Sequence, residues 1–178
     1  MIPGILLLLS GCATVSDYGC ATEEHQARDL DLTTHYHATT PRESDPSVGL
    51  PPKGTVIEVT SYTVGFNAVR IEPCSILSIT KNVTLRRGPE TDIGIKETRE
   101  FYAEDGVLIT SVTEDVTAQF PATGGYKAVT PLPIPRSAPP GKYRILTRLT
   151  MERKSEKRSV VLAAAEAGFQ IVQRRGGR

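Results

Sequence analysis

No tryptophan occurs in the chain, and aromatic residues make up only 6% of it. Sugar-binding platforms usually rely on stacked aromatic rings, so a lectin-like site is disfavoured, although six tyrosines leave some stacking capacity. Methionine is scarce, at two residues, which argues against a methionine-rich copper carrier. Neither sign of charge dominates: 21 Lys and Arg face 20 Asp and Glu. With no long charged block before the C-terminal tail, nucleic acid is not an expected partner. No apolar run approaches the roughly 20 residues that a membrane-spanning helix needs. G-x-S-x-G, H-E-x-x-H, a phosphate-binding glycine loop, an EF-hand loop and C-x-x-C are all missing. The sequence therefore points to no enzyme class, no cofactor and no thioredoxin-like redox role.

What is present begins at the N-terminus. An apolar run, Ile5 to Leu9, leads into Ser10, Gly11 and Cys12. A short apolar stretch ending in small residues reads as a secretory signal rather than as part of a fold. The tetrapeptide Leu9-Ser10-Gly11-Cys12 resembles the lipobox of bacterial lipoproteins. The resemblance implies cleavage before Cys12 and acylation of its thiol and new amino group with fatty-acyl chains such as palmitate. Acyl chains contribute about 0.8 kcal/mol per buried CH₂, so two or three hold a soluble body in a bilayer almost irreversibly. Ala13, where an Asp would signal inner-membrane retention in Gram-negative lipoproteins, points to the outer membrane. Such signals open with Lys or Arg, and residues 1–11 contain neither. The expectation is that Met1 sits inside a longer signal.

Of three cysteines, lipidation consumes Cys12 and leaves Cys20 and Cys74. An even pair in an oxidising compartment is expected to form a disulfide, with two unrelated thiols as the alternative. The predicted organisation is a signal over 1–11, a lipidated polar tether over 12–53, a β domain over 54–173 and a basic tail over 174–178. The tether is interrupted by Pro41, Pro46, Pro51 and Pro52, with one short ordered piece expected at Thr33–His37. Arg174, Arg175 and Arg178 make the tail basic; a solvated terminus is the plain reading, and contact with anionic lipid or peptidoglycan the other.

Beyond Gly54 the dominant period is two. Leu77, Ile79, Val83 and Leu85 share one face of a strand, with Lys81 as the exception. Tyr143, Ile145, Leu149 and Met151 share a face of another, and Leu108, Val112, Val116 and Phe120 recur along one side of a third segment. Turns are marked by Arg87-Gly88-Pro89, Glu104-Asp105-Gly106, Thr123-Gly124-Gly125 and Pro140-Gly141. Ala163–Ala167 reads as one helical turn or a bulged strand. The charged segment Glu90–Glu104 reads as an exposed hairpin or an edge strand guarded by charges. About eight strands separated by turns predict an all-β, immunoglobulin-like antiparallel sandwich. Pro139-Pro140-Gly141-Lys142-Tyr143 resembles the corner before the sixth strand of fibronectin-III and other immunoglobulin-like domains. That resemblance implies a tyrosine hydroxyl anchored to nearby backbone.

His35 and His37 are the sharpest chemical candidates. Residues two apart on a strand share a face, so the two imidazoles could bind Zn²⁺ or Cu²⁺, with Glu23, Glu24, His25, Asp29 and Asp31 as further donors. The acidic pairs Glu104-Asp105 and Glu114-Asp115 suit turn and surface roles, because neighbours on a strand point to opposite faces. The functional expectation is a non-enzymatic, lipid-anchored, periplasm-facing protein of the outer membrane. It would present a sheet edge or loop surface to another envelope protein. The alternative is a periplasmic metal-binding lipoprotein using His35 and His37, and third comes a hydrolase of unrecognised type.

Overall fold

A computed structural model of the chain describes residues 20, 22, 25–39, 49–153, 155 and 158–173. The expected signal, the Cys12 lipidation site, Glu23, Glu24 and the basic tail lie outside them. Among the described residues there are nine strands: β1 (His37–Ala38), β2 (Ile57–Phe66), β3 (Arg70–Ile71), β4 (Ser75–Arg87), β5 (Ile93–Ala103), β6 (Leu108–Asp115), β7 (Gly124–Ile134), β8 (Gly141–Arg153) and β9 (Arg158–Ile171). They form two sheets, ordered β1-β7-β4-β2 and β3-β9-β8-β5-β6. Every pairing is antiparallel except that of β3 with β9. The long strands divide as first, second and fifth against third, fourth, sixth and seventh, so neighbours in sequence cross between the layers. The protein is an immunoglobulin-like β-sandwich.

Alternation builds the core. Leu77, Ile79, Val83 and Leu85 of β4 are buried, as are Ile93 and Ile95 of β5 and Ile145 and Leu149 of β8. A first cluster gathers Val83, Leu85, Ile93, Ile95, Phe120 and Tyr126; a second gathers Leu77, Ile134, Phe169 and Ile171 at the other end. Burying one such aliphatic side chain stabilises the fold by about 1.5–3 kcal/mol.

Two local expectations change, and one left open is resolved. Segment 90–104 is neither an exposed hairpin nor an edge: β5 lies between β8 and β6. Its charges Lys96 and Glu100 face outward, and the inward Glu97 and Arg99 find partners of opposite sign. Leu108 and Val112 do not share a buried face with Val116 and Phe120. They are 48% and 39% exposed, whereas the other two, fully buried, lie beyond β6 at the 3₁₀ turn Thr117–Gln119. Ala163–Ala167 belongs to β9, and pairing skips Leu162 opposite Leu149 and Thr150, so the bulged strand is the reading that holds.

The tyrosine corner is present. The Tyr143 hydroxyl donates to Pro139 O at 2.6 Å, and its ring stacks on Phe169 with centroids 5.6 Å apart. The ring is half-buried rather than enclosed. Tyr126 repeats the device at the start of β7, donating to Ala122 O at 2.6 Å. Cys20 and Cys74 are disulfide-bonded, with α-carbons 5.1 Å apart and both residues buried.

Candidate functional site

An immunoglobulin-like sandwich is closed on one side here by contact between β2 and β9. On the other side β6 and β7 face each other across a gap, and the N-terminal segment 31–39 runs along it. This strap contains the ordered piece expected at Thr33–His37, but it is built into the domain and not outside the 54–173 boundary. Thr34 and Tyr36 are buried, while β1 pairs His37 with Lys127 and Ala38 with Tyr126. Beyond β1, the Thr39 N–H donates to Gly125 O at 2.8 Å. The strap passes so close that a Cβ on Gly125 would lie 2.6 Å from Thr39 Oγ1.

A polar network fixes the strap. Lys81 Nζ donates to Glu97 Oε1 at 2.6 Å and to Thr34 Oγ1 at 2.7 Å. The Tyr36 hydroxyl donates to Glu97 Oε2 at 2.8 Å, and its ring packs on Phe120 at 4.8 Å. Gln119 substitutes for a neighbouring strand: its Oε1 accepts from Tyr36 N–H at 2.6 Å and its Nε2 donates to Thr34 O at 2.9 Å. Glu114 Oε2 accepts from Thr34 N–H at 3.1 Å, and Glu114 Oε1 pairs with Arg99 at 2.8 Å. Arg99 also donates to Leu32 O at 3.2 Å.

Burial sets the electrostatics. Removal from water pulls Lys81 down to about 8, against the opposing pull of Glu97. Burial first, and the Glu97 charge second, push the Tyr36 hydroxyl well above the ordinary phenol range. These groups engage one another. They leave no charged atom of Lys81 or Glu97 open to a substrate, since both side chains are fully buried. Sequence reasoning missed Glu97, Gln119 and Arg99. The one local signal was Lys81, a charge on an otherwise apolar face.

Beside the strap the gap stays open as a cleft of about 440 Å³. Ile79, Phe101, Val112 and Leu132 give it apolar walls, and Arg99 and Glu114 lie at its base. Arg99 is only 4% exposed, yet its Nε has no hydrogen-bond partner. Of the two strands bordering the cleft, β7 carries Pro131 and Pro133, which remove backbone donors and guard an edge. β6 carries no proline, and no strand pairs with its outer edge among the described residues. A bulge at Ile109 leaves Thr110–Asp115 as its regular stretch, with Thr110, Val112 and Glu114 turned toward the cleft.

The histidines lie apart from this cleft-bordering edge. His35 and His37 are both exposed and flank the inward-pointing Tyr36. His35 Nε2 is 2.8 Å from Asp31 Oδ2. Hydrogen bonds from Thr33, then the bond to His35, hold the Asp31 carboxyl down at about 2. Among the described residues, no group of three His, Cys, Asp or Glu side chains could hold a metal ion together. Glu104 and Asp105 occupy the β5–β6 turn and Asp115 accepts from Thr117 N–H at 2.8 Å, as the turn and surface reading expects, whereas Glu114 departs from it by turning inward to Arg99 and the strap.

No protein-family model matches the chain, and no curated protein matches it. Solved structures with a similar fold include the CARDB domain of a Pyrococcus furiosus protein, solved with di-metal ions. It is 13% identical, with a TM-score of 0.40, over 66% of this chain and 96% of that one. A family 123 glycoside hydrolase from Clostridium perfringens is 12% identical, with a TM-score of 0.40, over 67% of this chain and 28% of that one. AvmM, which catalyses macrocyclization in alchivemycin A biosynthesis, is 14% identical, with a TM-score of 0.35, over 67% and 92%. These likenesses concern the course of the backbone and carry no argument about chemistry.

Proposed function

We propose that this chain is a lipid-anchored envelope protein, attached through Cys12 to the outer membrane and facing the periplasm. Its sandwich would bind an extended segment of another envelope protein by strand addition at β6. The observation that carries this reading is the unguarded edge Thr110–Asp115 beside an open apolar cleft. Backbone groups on an edge strand supply affinity for an added strand, and pockets for alternate side chains supply selectivity. A strand laid along β6 would project every second side chain over Val112 and Leu132. Binding rather than catalysis is favoured because the ionisable groups at the cleft, Arg99 and Glu114, pair with each other, while Lys81, Glu97 and Tyr36 are sealed and committed to holding the strap.

The test has two parts. Mass spectrometry of the mature protein should find an acylated Cys12 as its first residue, and Cys12→Ser should release the protein from membranes. Pull-down from detergent-solubilised membranes should then recover a partner with wild type and lose it with Val112→Lys. That change places an inward-facing charge on the edge. Equal recovery with both proteins would reject β6 as the binding edge.

Metal binding by His35 and His37 is the second reading, favoured by two exposed imidazoles sharing one side of the strap with Asp31 beside one of them. Zinc or copper retained by the purified protein and lost in His35→Ala/His37→Ala would favour it.

A further inference from the structure

We infer that the end of the sandwich bearing Cys74 faces the bilayer and rests on its phospholipid headgroups. This rests on the lipidation of Cys12 proposed above. Cys20 lies eight residues after Cys12, and eight extended residues span at most about 29 Å. The bridge to Cys74 ties that short leash to one particular corner of the domain.

The strand register shows what else shares that corner. Ser75 pairs with Ile134, and the Cys74 N–H donates to Ile134 O at 2.9 Å. Gly141 pairs with Ile171, and Ala103 with Tyr143. The 135–140 loop, the 104–107 turn and the end of β9 therefore stand at the same end as the bridge. From there β4 runs 13 residues to Arg87, about 40 Å at strand rise. The opposite end holds the Arg87–Asp92 turn and the hairpin tip between Arg153 and Arg158. A leash shorter than the domain makes the two ends unequal in their access to the membrane.

The chemistry of the near end fits a headgroup surface. Val69, Val107 and Leu108 are 71%, 58% and 48% exposed there. Small apolar side chains of this kind can enter the interfacial layer. Arg70 is exposed beside them, and the sequence continues from Gln173 directly into Arg174 and Arg175. Such cations are drawn to an anionic headgroup surface. Glu104 offsets Lys142 at 3.4 Å; Arg136 lies in the 135–140 loop and Arg28 lines a pocket with Cys74 and Pro135, while Asp29, Glu72 and Asp105 are the other described acids at this end. The described surface is thus mixed in charge, and the sequence beyond Gln173 adds Arg174 and Arg175. In this orientation β6 runs away from the bilayer with its free edge open sideways to the periplasm.

The experiment uses the lipidated mature protein on phosphatidylethanolamine–phosphatidylglycerol vesicles carrying a headgroup acceptor dye. A donor is attached through an encoded azide at Ser137, in the near loop, or at Asp92, at the far end. Transfer from Ser137 should exceed that from Asp92 several-fold. Cys20→Ser should bring the two closer together by lengthening the leash, while Thr34 and Tyr36 keep the strap in place. Equal transfer from both sites in anchored, oxidised protein overturns the orientation and leaves the anchor standing. Protein that does not bind vesicles at all overturns the anchor, and the orientation with it.

Discussion

The ammonium of Lys81 lies 2.6 Å from the carboxylate of Glu97 across the gap between the two sheets, and neither side chain reaches solvent. A buried pair of this kind contributes little net stability over an apolar replacement, but removing one partner strands a charge. Here the pair also sets a position: it receives Tyr36 and Thr34 and so registers the strap against the core. Lys81→Met alone should destabilise by about 3–5 kcal/mol, and Lys81→Met/Glu97→Leu should recover most of that loss. Urea denaturation midpoints of the three proteins check this. A single variant as stable as wild type would mean that the pair is not buried.

The pH dependence follows with a definite sign. Lys81 titrates at about 8 in the folded protein, against an ordinary lysine value of 10.5. Between those limits the unfolded chain holds the proton that the folded protein has released. Stability attributable to Lys81 therefore rises with pH across that window. Its desolvation cost is fully present below the folded value and gone above the unfolded one. Relative to Lys81→Met/Glu97→Leu, wild type should gain stability from pH 8 to pH 10.5, as read from denaturation midpoints. A relative loss over the same range would contradict the assignment.

The two tyrosine corners make a paired prediction. Tyr143→Phe removes one hydroxyl-to-carbonyl bond four residues back and should cost about 1 kcal/mol; Tyr126→Phe removes the same kind of bond together with the acceptor of Ala122 N–H and should cost at least as much. Thermal or chemical denaturation will resolve this, and the double variant should be close to additive because the corners sit on different strands. No effect from Tyr143→Phe would show that its ring packing alone holds the turn.

The disulfide closes a sequence separation of 54 residues. Loop-closure entropy gives it about 4 kcal/mol. Cys20→Ser/Cys74→Ser should lose a stability of that order, and alkylation of the oxidised mature protein should label no thiol. Labelling of Cys20 or Cys74 without reduction would show that the bridge is absent in the cell.

Much of the fold was legible because short-range patterns specified it. Alternation in β4 and β8, the Pro-Gly turn before Tyr143 and the leftover cysteine pair each reflect chemistry within one strand, one turn or one compartment. The candidate site was less visible because its partners are distant in sequence. Lys81 broke an apolar face, but its meaning depends on Glu97, 16 residues on, and on Thr34, 47 residues back. Segment 90–104 looked exposed because its charges are frequent, although alternation from Ile93 and Ile95 puts Glu97 on the inward face and Glu100 on the outward one. His35-Tyr36-His37 drew attention to the histidines, while the tyrosine between them is the residue that enters the core. Gln119 carried no signal at all, since a side-chain amide standing in for a strand can be recognised only beside the backbone it serves.

Site-specific photo-crosslinking in intact cells tests the central claim most directly. A photoreactive residue at Ser111, exposed on the free edge β6, is compared with one at Thr60, exposed on β2 of the other sheet. Strand addition at β6 predicts a discrete adduct with an envelope protein at Ser111. That adduct should be absent at Thr60 and should disappear when Val112→Lys is added. Adducts of equal yield at both positions, or at Thr60 alone, would contradict it.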